Sequence, residues 1–129
     1  MNRILLVDDD DKLRSVYRAL LSGEGYDIVD ASNVEDAVRV LLNKDIQLVL
    51  LDINMPGMNG MVMREVLRIH DRRIKVMVSS VYPKDFQRRV IPQADDYFDK
   101  AEGTMVLVDK IRKCLAEAKE SYGALENAS

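Results

Sequence analysis

Residues 4–11 of this chain read Ile-Leu-Leu-Val-Asp-Asp-Asp-Asp. The four apolar residues in a row predict a strand that is buried on both faces, because a strand with one face in water alternates apolar and polar residues. The abrupt change to aspartate at residue 8 indicates that the strand ends in solvent. We therefore predict a buried strand with carboxylates at its carboxyl end.

Four more strands are predicted along the chain, each followed by apolar residues at helical spacing. These strands cover residues 26–31, 47–52, 74–79 and 96–99. The alternation requires a parallel sheet covered by helices on both faces, since right-handed crossovers are the available connection. The predicted fold class is α/β, a single doubly wound parallel sheet of five strands with five helices, in the flavodoxin-like strand order 2-1-3-4-5.

Particular residues mark four helix boundaries. Ser32, with a glutamate three residues later, has the form of a capping box before the second helix. Pro92 ends the fourth helix, which is predicted over residues 84–91, because proline lacks the amide hydrogen that a helix needs. Thr104 is expected to cap the last helix, which fades through Gly123 into a polar end.

Composition excludes several classes of protein. The chain has 129 residues, of which 47% are apolar, and this length and content suit one domain with its own core. A net charge of −3 disfavours direct binding of nucleic acid. The single cysteine, Cys114, excludes an internal disulfide, and no apolar run approaches the roughly 20 residues of a membrane span. We expect a cytoplasmic protein without membrane insertion.

Polar residues end four of the five predicted strands. They are Asp8 and Asp9 after the first strand, Asp52 after the third, Ser79 after the fourth and Lys100 after the fifth. Parallel strands bring their carboxyl ends to one edge of the sheet, so these side chains should converge. Clustered carboxylates repel one another, and a bound cation offsets that repulsion. Because the available ligands are oxygen atoms, we predict Mg²⁺.

Four segments of the sequence resemble the receiver domain of two-component response regulators, in particular chemotaxis-type regulators. They are Leu-Val-Asp-Asp-Asp at 6–10, Leu-Asp-Ile-Asn-Met-Pro-Gly-Met-Asn-Gly at 51–60, Val-Ser-Ser at 78–80 and Asp-Asp-Tyr-Phe-Asp-Lys at 95–100. The resemblance covers nearly the whole chain. We assign residues 1–121 to a receiver domain and 122–129 to a C-terminal tail.

The resemblance implies a role for each of these residues. Asp52 is the implied phosphoacceptor, and Asp8 with Asp9 forms the acidic pocket. Mg²⁺ is then held by this pocket, by Asp52 and by the backbone carbonyl of Asn54. The protein is a signalling phosphoacceptor rather than an enzyme acting on other molecules, and it catalyses only its own phosphorylation and dephosphorylation.

The remaining implied roles concern signalling. Ser79 and Lys100 contact the phosphoryl group, and Tyr97 occupies the position of the family's aromatic switch residue, which we expect to turn inward after phosphorylation. The implied donor is a histidine kinase or a histidine phosphotransfer protein. The implied output is a downstream protein target or self-association, through the fourth helix, fifth strand and fifth helix. Ala101 follows Lys100 where the family often has proline, so that loop is expected to differ.

Two other functions compete with this interpretation. A haloacid-dehalogenase-like phosphohydrolase also has an Asp-x-Asp motif after its first strand, which Asp8 and Asp10 match. Lys12 replaces the threonine or valine of that motif, however, and Asp52 would be unexplained. The second alternative is a receiver-like binding module that works without phosphorylation.

Overall fold

The computed structural model describes residues 2–55 and 73–128, with side chains described as far as residue 117. The strands are β1 (Arg3–Val7), β2 (Asp27–Ala31), β3 (Leu48–Asp52), β4 (Lys75–Ser80) and β5 (Asp96–Asp99). The helices in the described ranges are α1 (Asp11–Gly23), α2 (Val34–Asn43), α3 (Lys84–Val90) and α4 (Thr104–Ala128). Thus α3 and α4 are the fourth and fifth helices predicted from the sequence. The predicted third helix and the loop over residues 56–60 lie outside the described residues.

All five strands are parallel and form one sheet in the order β2-β1-β3-β4-β5. This order confirms the predicted fold class. It places β1 beside β3, with Val7 opposite Leu51, so the residues that end these two strands are neighbours. It also makes β5 an edge strand, next to β4.

Alternate residues of each central strand face one of two hydrophobic cores, as a sheet covered on both sides requires. One core lies against α2 and α3 and includes Leu5, Val7, Ala37, Leu41, Val49, Leu51, Val76, Val78, Ile91 and Tyr97. The other lies against α1 and α4 and includes Ile4, Leu6, Tyr17, Leu21, Leu48, Leu50, Met77, Phe98, Leu107 and Ile111. In the described part of the chain, we find no helix long and apolar enough to cross a membrane.

Two predicted helix starts were wrong. The cap of α2 is Asn33 rather than Ser32, because the Asn33 side-chain oxygen accepts the amide of Asp36 at 2.8 Å. Thr104 is the first residue of α4 rather than the cap before it. The preceding residue, Gly103, provides the carbonyl that accepts the amide of Leu107.

The two predicted helix ends had different outcomes. α3 ends at Val90, two residues before Pro92, as expected. α4 continues to Ala128, past Gly123, where we expected it to fade. The boundary between residues 121 and 122 remains a prediction.

Candidate functional site

Asp8 and Asp52 lie side by side at the carboxyl edge of the sheet. Asp52 is the last residue of β3, and Asp8 directly follows β1. Both residues are buried, with exposures of 6% and 4%, whereas Asp9 is exposed. Carboxylate oxygens from Asp8, Asp9 and Asp52 all lie within 4.8 Å of one another. The predicted convergence of these three carboxylates is therefore confirmed.

Lys100 supplies a positive charge to this cluster. Its Nζ lies 3.1 Å from Oδ2 of Asp8 and 3.4 Å from Oδ2 of Asp52. Two carboxylates about 4 Å apart at an effective dielectric of about 20 repel by roughly 4 kcal/mol. The single ammonium of Lys100 lies between the two buried carboxylates and reduces that repulsion. Lys100 does not form an ion pair with Asp9.

Backbone amides fix the orientation of both buried carboxylates. Oδ1 of Asp8 accepts the amide of Asp10 at 2.9 Å, and Oδ1 of Asp52 accepts the amide of Asn54 at 2.9 Å. Each is a turn in which an aspartate bonds the backbone two residues ahead. Consequently the Oδ2 atoms, which face Lys100, are the oxygens left for other partners.

The Asp52 carboxyl group is electrostatically unfavourable when ionised. Burial is the largest effect and raises the pKa of Asp52, and the charge of Asp8 raises it further. The Asn54 amide and Lys100 act in the opposite direction without cancelling the increase. A cation bound by the cluster would favour the ionised carboxylate, which is also the nucleophilic form.

The donor atoms fit a magnesium ion. Three carboxylates from two adjacent strand ends present hard oxygen ligands close enough to share one ion. Asn54 was predicted to contribute its backbone carbonyl. The structure shows hydrogen bonds of two other groups of Asn54. Its backbone amide donates to Asp52, and its side-chain Nδ2 donates to Oγ of Ser80 at 3.0 Å. A role for the Asn54 carbonyl remains a proposal.

Ser79 lies beside Asp52, as predicted, because the two are paired in the register of β3 and β4. Its side chain is buried, and within the described structure its Oγ has no hydrogen-bond partner. Buried hydroxyl groups are usually bonded, so this one calls for an explanation. A phosphoryl oxygen on Asp52 would provide an acceptor for it.

Arg14 is a residue near the site that the sequence analysis missed. Its Nη1 donates to the backbone oxygen of Asp8 at 2.7 Å, while Nε and Nη2 form ion pairs with Asp30 and Asp11. These contacts connect α1, the end of β2 and the loop that carries the acidic pair. The three-residue spacing of Asp11 and Arg14 was the available signal, but it indicated only a surface ion pair.

Tyr97 points inward in this structure. Its ring is buried, its hydroxyl donates to the carbonyl of Ile91, and that hydroxyl accepts the amide of Ala94 at 3.2 Å. The guanidinium of Arg88 lies 5.2 Å from the ring centre. We expected Tyr97 to turn inward after phosphorylation, and the inward orientation is the one in the structure. Its role as a switch residue remains a proposal.

The loop after β5 does not depend on a proline. Asp99 accepts the amide of Ala101 at 2.9 Å, and Glu102 accepts the amide of Asp99 at 3.1 Å, which together form a capping box around Lys100. No cis peptide bond occurs in the described ranges, so the bond before Ala101 is trans. These side-chain bonds fix the backbone on both sides of Lys100, with alanine rather than proline at residue 101.

Comparison with known proteins identifies the class. The family model for the response regulator receiver domain matches residues 4–112. The chain therefore belongs to the response regulator receiver domain family, a family of signalling domains. This match favours the receiver interpretation over the phosphohydrolase alternative.

Particular relatives agree with this assignment. The transcriptional regulatory protein CpxR of Escherichia coli K12 is 37% identical over 116 residues, covering 89% of this chain and 50% of CpxR. A CheY-like receiver domain protein from Methanospirillum hungatei has a TM-score of 0.87 with 26% identity, over 94% of this chain and 98% of that one. Thus the chain spans about half the length of the curated relatives it matches.

A third relative was solved with ligands. Response regulator TrrA of Thermotoga maritima in complex with Mg²⁺-BeF is 32% identical, with a TM-score of 0.80 over 88% of this chain and 99% of TrrA. TrrA was also solved in complex with the histidine kinase ThkA, with a TM-score of 0.76 at 32% identity over 89% of this chain and 99% of TrrA.

Proposed function

We propose that this chain is the phosphoacceptor of a two-component phosphorelay and that Asp52 receives the phosphoryl group. The observation that carries this proposal is the convergence of three carboxylates with one lysine at the carboxyl edge of the sheet. Asp52 is buried and held by a backbone amide on one oxygen, which leaves the other oxygen for chemistry. The complex of TrrA with Mg²⁺-BeF supports the same use of the site here.

The proposed reaction moves a phosphoryl group from nitrogen to oxygen. A carboxylate oxygen of Asp52 forms a bond to phosphorus while the bond from phosphorus to the donor's imidazole nitrogen breaks, and that nitrogen retains the electron pair. The product is an acyl phosphate on Asp52. Lys100 stabilises charge on the transferred oxygens, and the Ser79 hydroxyl donates to one of them. Hydrolysis of the acyl phosphate restores the free carboxylate.

Magnesium would be held by Asp8, Asp9 and Asp52, together with the backbone carbonyl of Asn54. When bound, the ion supplies positive charge that stabilises the phosphoryl oxygens during transfer. Asp9 is the exposed member of the set and has no contact with Lys100 in the structure, so its carboxylate is accessible to an ion from solvent.

The donor is proposed to be a phosphohistidine on a partner kinase or phosphotransfer protein. The complex of TrrA with ThkA supports a kinase as this partner. Under this proposal the chain catalyses only its own phosphorylation and dephosphorylation.

Substitution of Asp9 by alanine should remove the stabilisation that Mg²⁺ provides. Millimolar Mg²⁺ should raise the thermal unfolding midpoint of the wild type, because a ligand that binds only the folded state stabilises it in proportion to the logarithm of its concentration. Asp9→Ala should unfold cooperatively without this increase. The measurement is differential scanning calorimetry with and without the ion.

Asp45→Ala is the matched control, since Asp45 is an exposed carboxylate outside the cluster. It should respond to Mg²⁺ as the wild type does. An equal Mg²⁺-dependent increase in Asp9→Ala and wild type would contradict the assignment of Asp9 as a ligand.

The proposed output surface is formed by α3, β5 and the first turns of α4. Several large apolar side chains on these elements and on the loop before α3 are exposed, namely Val81, Tyr82, Phe86, Val90 and Met105. Tyr82 and Phe86 also contact each other, with ring centres 4.7 Å apart. We propose that this surface binds a downstream protein or a second copy of the chain.

A phosphoryl mimic should change this surface as well as the site. Beryllofluoride with Mg²⁺ should give Ser79 a new acceptor, move the loop after β4 and thereby shift backbone amide NMR signals in residues 82–115. Large changes confined to the loops around Asp9 and Asp52 would contradict this route of signalling without contradicting phosphorylation.

A further inference from the structure

Two neighbouring serines at the end of β4 differ in their hydrogen bonding. Ser79 Oγ is buried with no partner among the described residues. Ser80, which is fully buried, accepts Nδ2 of Asn54 at 3.0 Å and the amide of Tyr82 at 3.1 Å. Ser79 is therefore free to take a new acceptor, while Ser80 is held to the loop that follows Asp52.

The hydrogen bonds of Ser80 continue to α3 and β5. Nε2 of Gln87 donates to the carbonyl of Tyr82 at 2.9 Å and to the carbonyl of Phe98 at 2.8 Å. Because both partners are carbonyl oxygens, they determine which end of the Gln87 amide is the nitrogen. We call this chain of contacts through Asn54, Ser80, Tyr82, Gln87 and Phe98 the Ser80 tether.

The Ser80 tether begins at the proposed phosphoacceptor itself, because the amide of Asn54 binds Oδ1 of Asp52. It reaches α3 and β5 without passing through Ser79 or Tyr97. Gln87 is completely buried, yet its Oε1 has no partner within the described residues, so the tether leaves one buried acceptor unsatisfied. A buried acceptor without a partner is uncommon in folded proteins and calls for an explanation.

We propose that Ser80 and Gln87 are positioning residues that hold the β4–α3 loop in the arrangement seen in the structure and so oppose its movement towards Asp52. This inference rests on the proposed function. If Ser79 moves to bond a phosphoryl oxygen, the adjacent Ser80 and the carbonyl of Tyr82 must shift with it, and the tether is broken. Contacts that stabilise only one of two conformations reduce the population of the second conformation. They therefore weaken the apparent affinity of a ligand that binds the second conformation.

Removal of the Ser80 hydroxyl should therefore tighten the binding of a phosphoryl mimic. The concentration of beryllofluoride at half-saturation, measured with Mg²⁺ by backbone amide NMR, should be about three- to tenfold lower in Ser80→Ala than in wild type, as expected for the loss of one or two neutral hydrogen bonds from the free state. Gln87→Met should act in the same direction. A substitution that only damaged packing would lower the unfolding temperature without improving this affinity.

The controls are Ser15→Ala, an exposed serine on α1, and Arg89→Met, an exposed residue on α3. Both should give the wild-type half-saturation. An unchanged or weaker affinity in Ser80→Ala, beside a normal wild-type response, would overturn the tether and leave the role of Asp52 standing. A wild type that does not respond to beryllofluoride would overturn the proposed function and the tether together.

A measurement on the wild type tests the tether without any substitution. The side-chain amide protons of Gln87 should exchange slowly with solvent in the free protein, because Nε2 is buried and donates to two carbonyls. Beryllofluoride and Mg²⁺ should reduce that protection. If the site loops respond to the mimic while the Gln87 amide keeps its shift and protection, the tether does not open and the proposal is wrong.

Discussion

Asp52→Asn should abolish phosphorylation of this chain. In the wild type, a small acyl phosphate with Mg²⁺ should add one phosphoryl group, detected as a mass increase that survives acid and is lost in base, as an acyl phosphate requires. The amide of asparagine is not nucleophilic, so labelling should fall to background. The same size of side chain and the bond from the Asn54 amide are retained, so the fold should be preserved.

The matched control is Asp45→Asn, at an exposed position, which should be labelled at the wild-type rate. Asp52→Asn also distinguishes the alternatives, whereas Asp8→Asn removes a proposed Mg²⁺ ligand and should lower labelling under either mechanism. A phosphohydrolase that used Asp8 as its nucleophile would lose labelling in Asp8→Asn and keep it in Asp52→Asn. A binding module that works without phosphorylation would not be labelled even as wild type. Either result would contradict the proposed role of Asp52.

Phe98→Ala should strongly destabilise the protein. Phe98 is 1% exposed and lies in the core between the sheet and α1 and α4. Truncating a buried phenylalanine removes its transfer free energy and leaves a cavity, which costs about 3 to 5 kcal/mol. That is a large part of the 5 to 15 kcal/mol that typically separates folded from unfolded domains. Urea unfolding followed by circular dichroism measures the change.

The other phenylalanine of the chain provides the control. Phe86 is 42% exposed, and its ring contacts Tyr82 rather than the core. Phe86→Ala should cost about 1 kcal/mol or less, the scale of one exposed aromatic pair. Comparable losses of stability in the two variants would show that β5 and its surroundings are packed differently from the structure described above.

The site depends on the same strand. Phe98 lies two residues before Lys100, and its carbonyl accepts Gln87 Nε2. A partly folded Phe98→Ala should therefore also respond poorly to beryllofluoride, because β5 would no longer place Lys100 beside Asp8 and Asp52.

The sequence by itself determined the elements and the edge at which they meet. Uninterrupted apolar runs such as residues 4–7 and 48–51 identify strands buried on both faces, and the alternation with helices then requires a parallel sheet. Because parallel strands end at one edge, the sequence predicted that Asp8, Asp9, Asp52 and Lys100 share that edge. The bond between Lys100 and Asp8, which spans 92 residues of chain, was not predicted, because β5 is an edge strand that pairs only with β4.

Tertiary structure decided how the residues around that edge are bonded. Both Ser32 and Asn33 are good cap residues, and only the path of the chain out of β2 places Asn33 at the position that accepts the Asp36 amide. Similarly, Ser80 is one of two adjacent serines, and its bond to Asn54, 26 residues away, depends on where the loop after β3 lies relative to the end of β4.

The physical reason is one of scale. Burial acts over whole elements and produces a periodic pattern, so it can be read from composition and spacing. A hydrogen bond requires a donor and an acceptor within about 3 Å and in line, which depends on loop positions that no local pattern specifies. The sequence therefore determined the fold and the acidic site. Only the folded structure determined that Ser79 Oγ has no partner among the described residues, that Ser80 is bonded to Asn54 and that Gln87 joins α3 to β5.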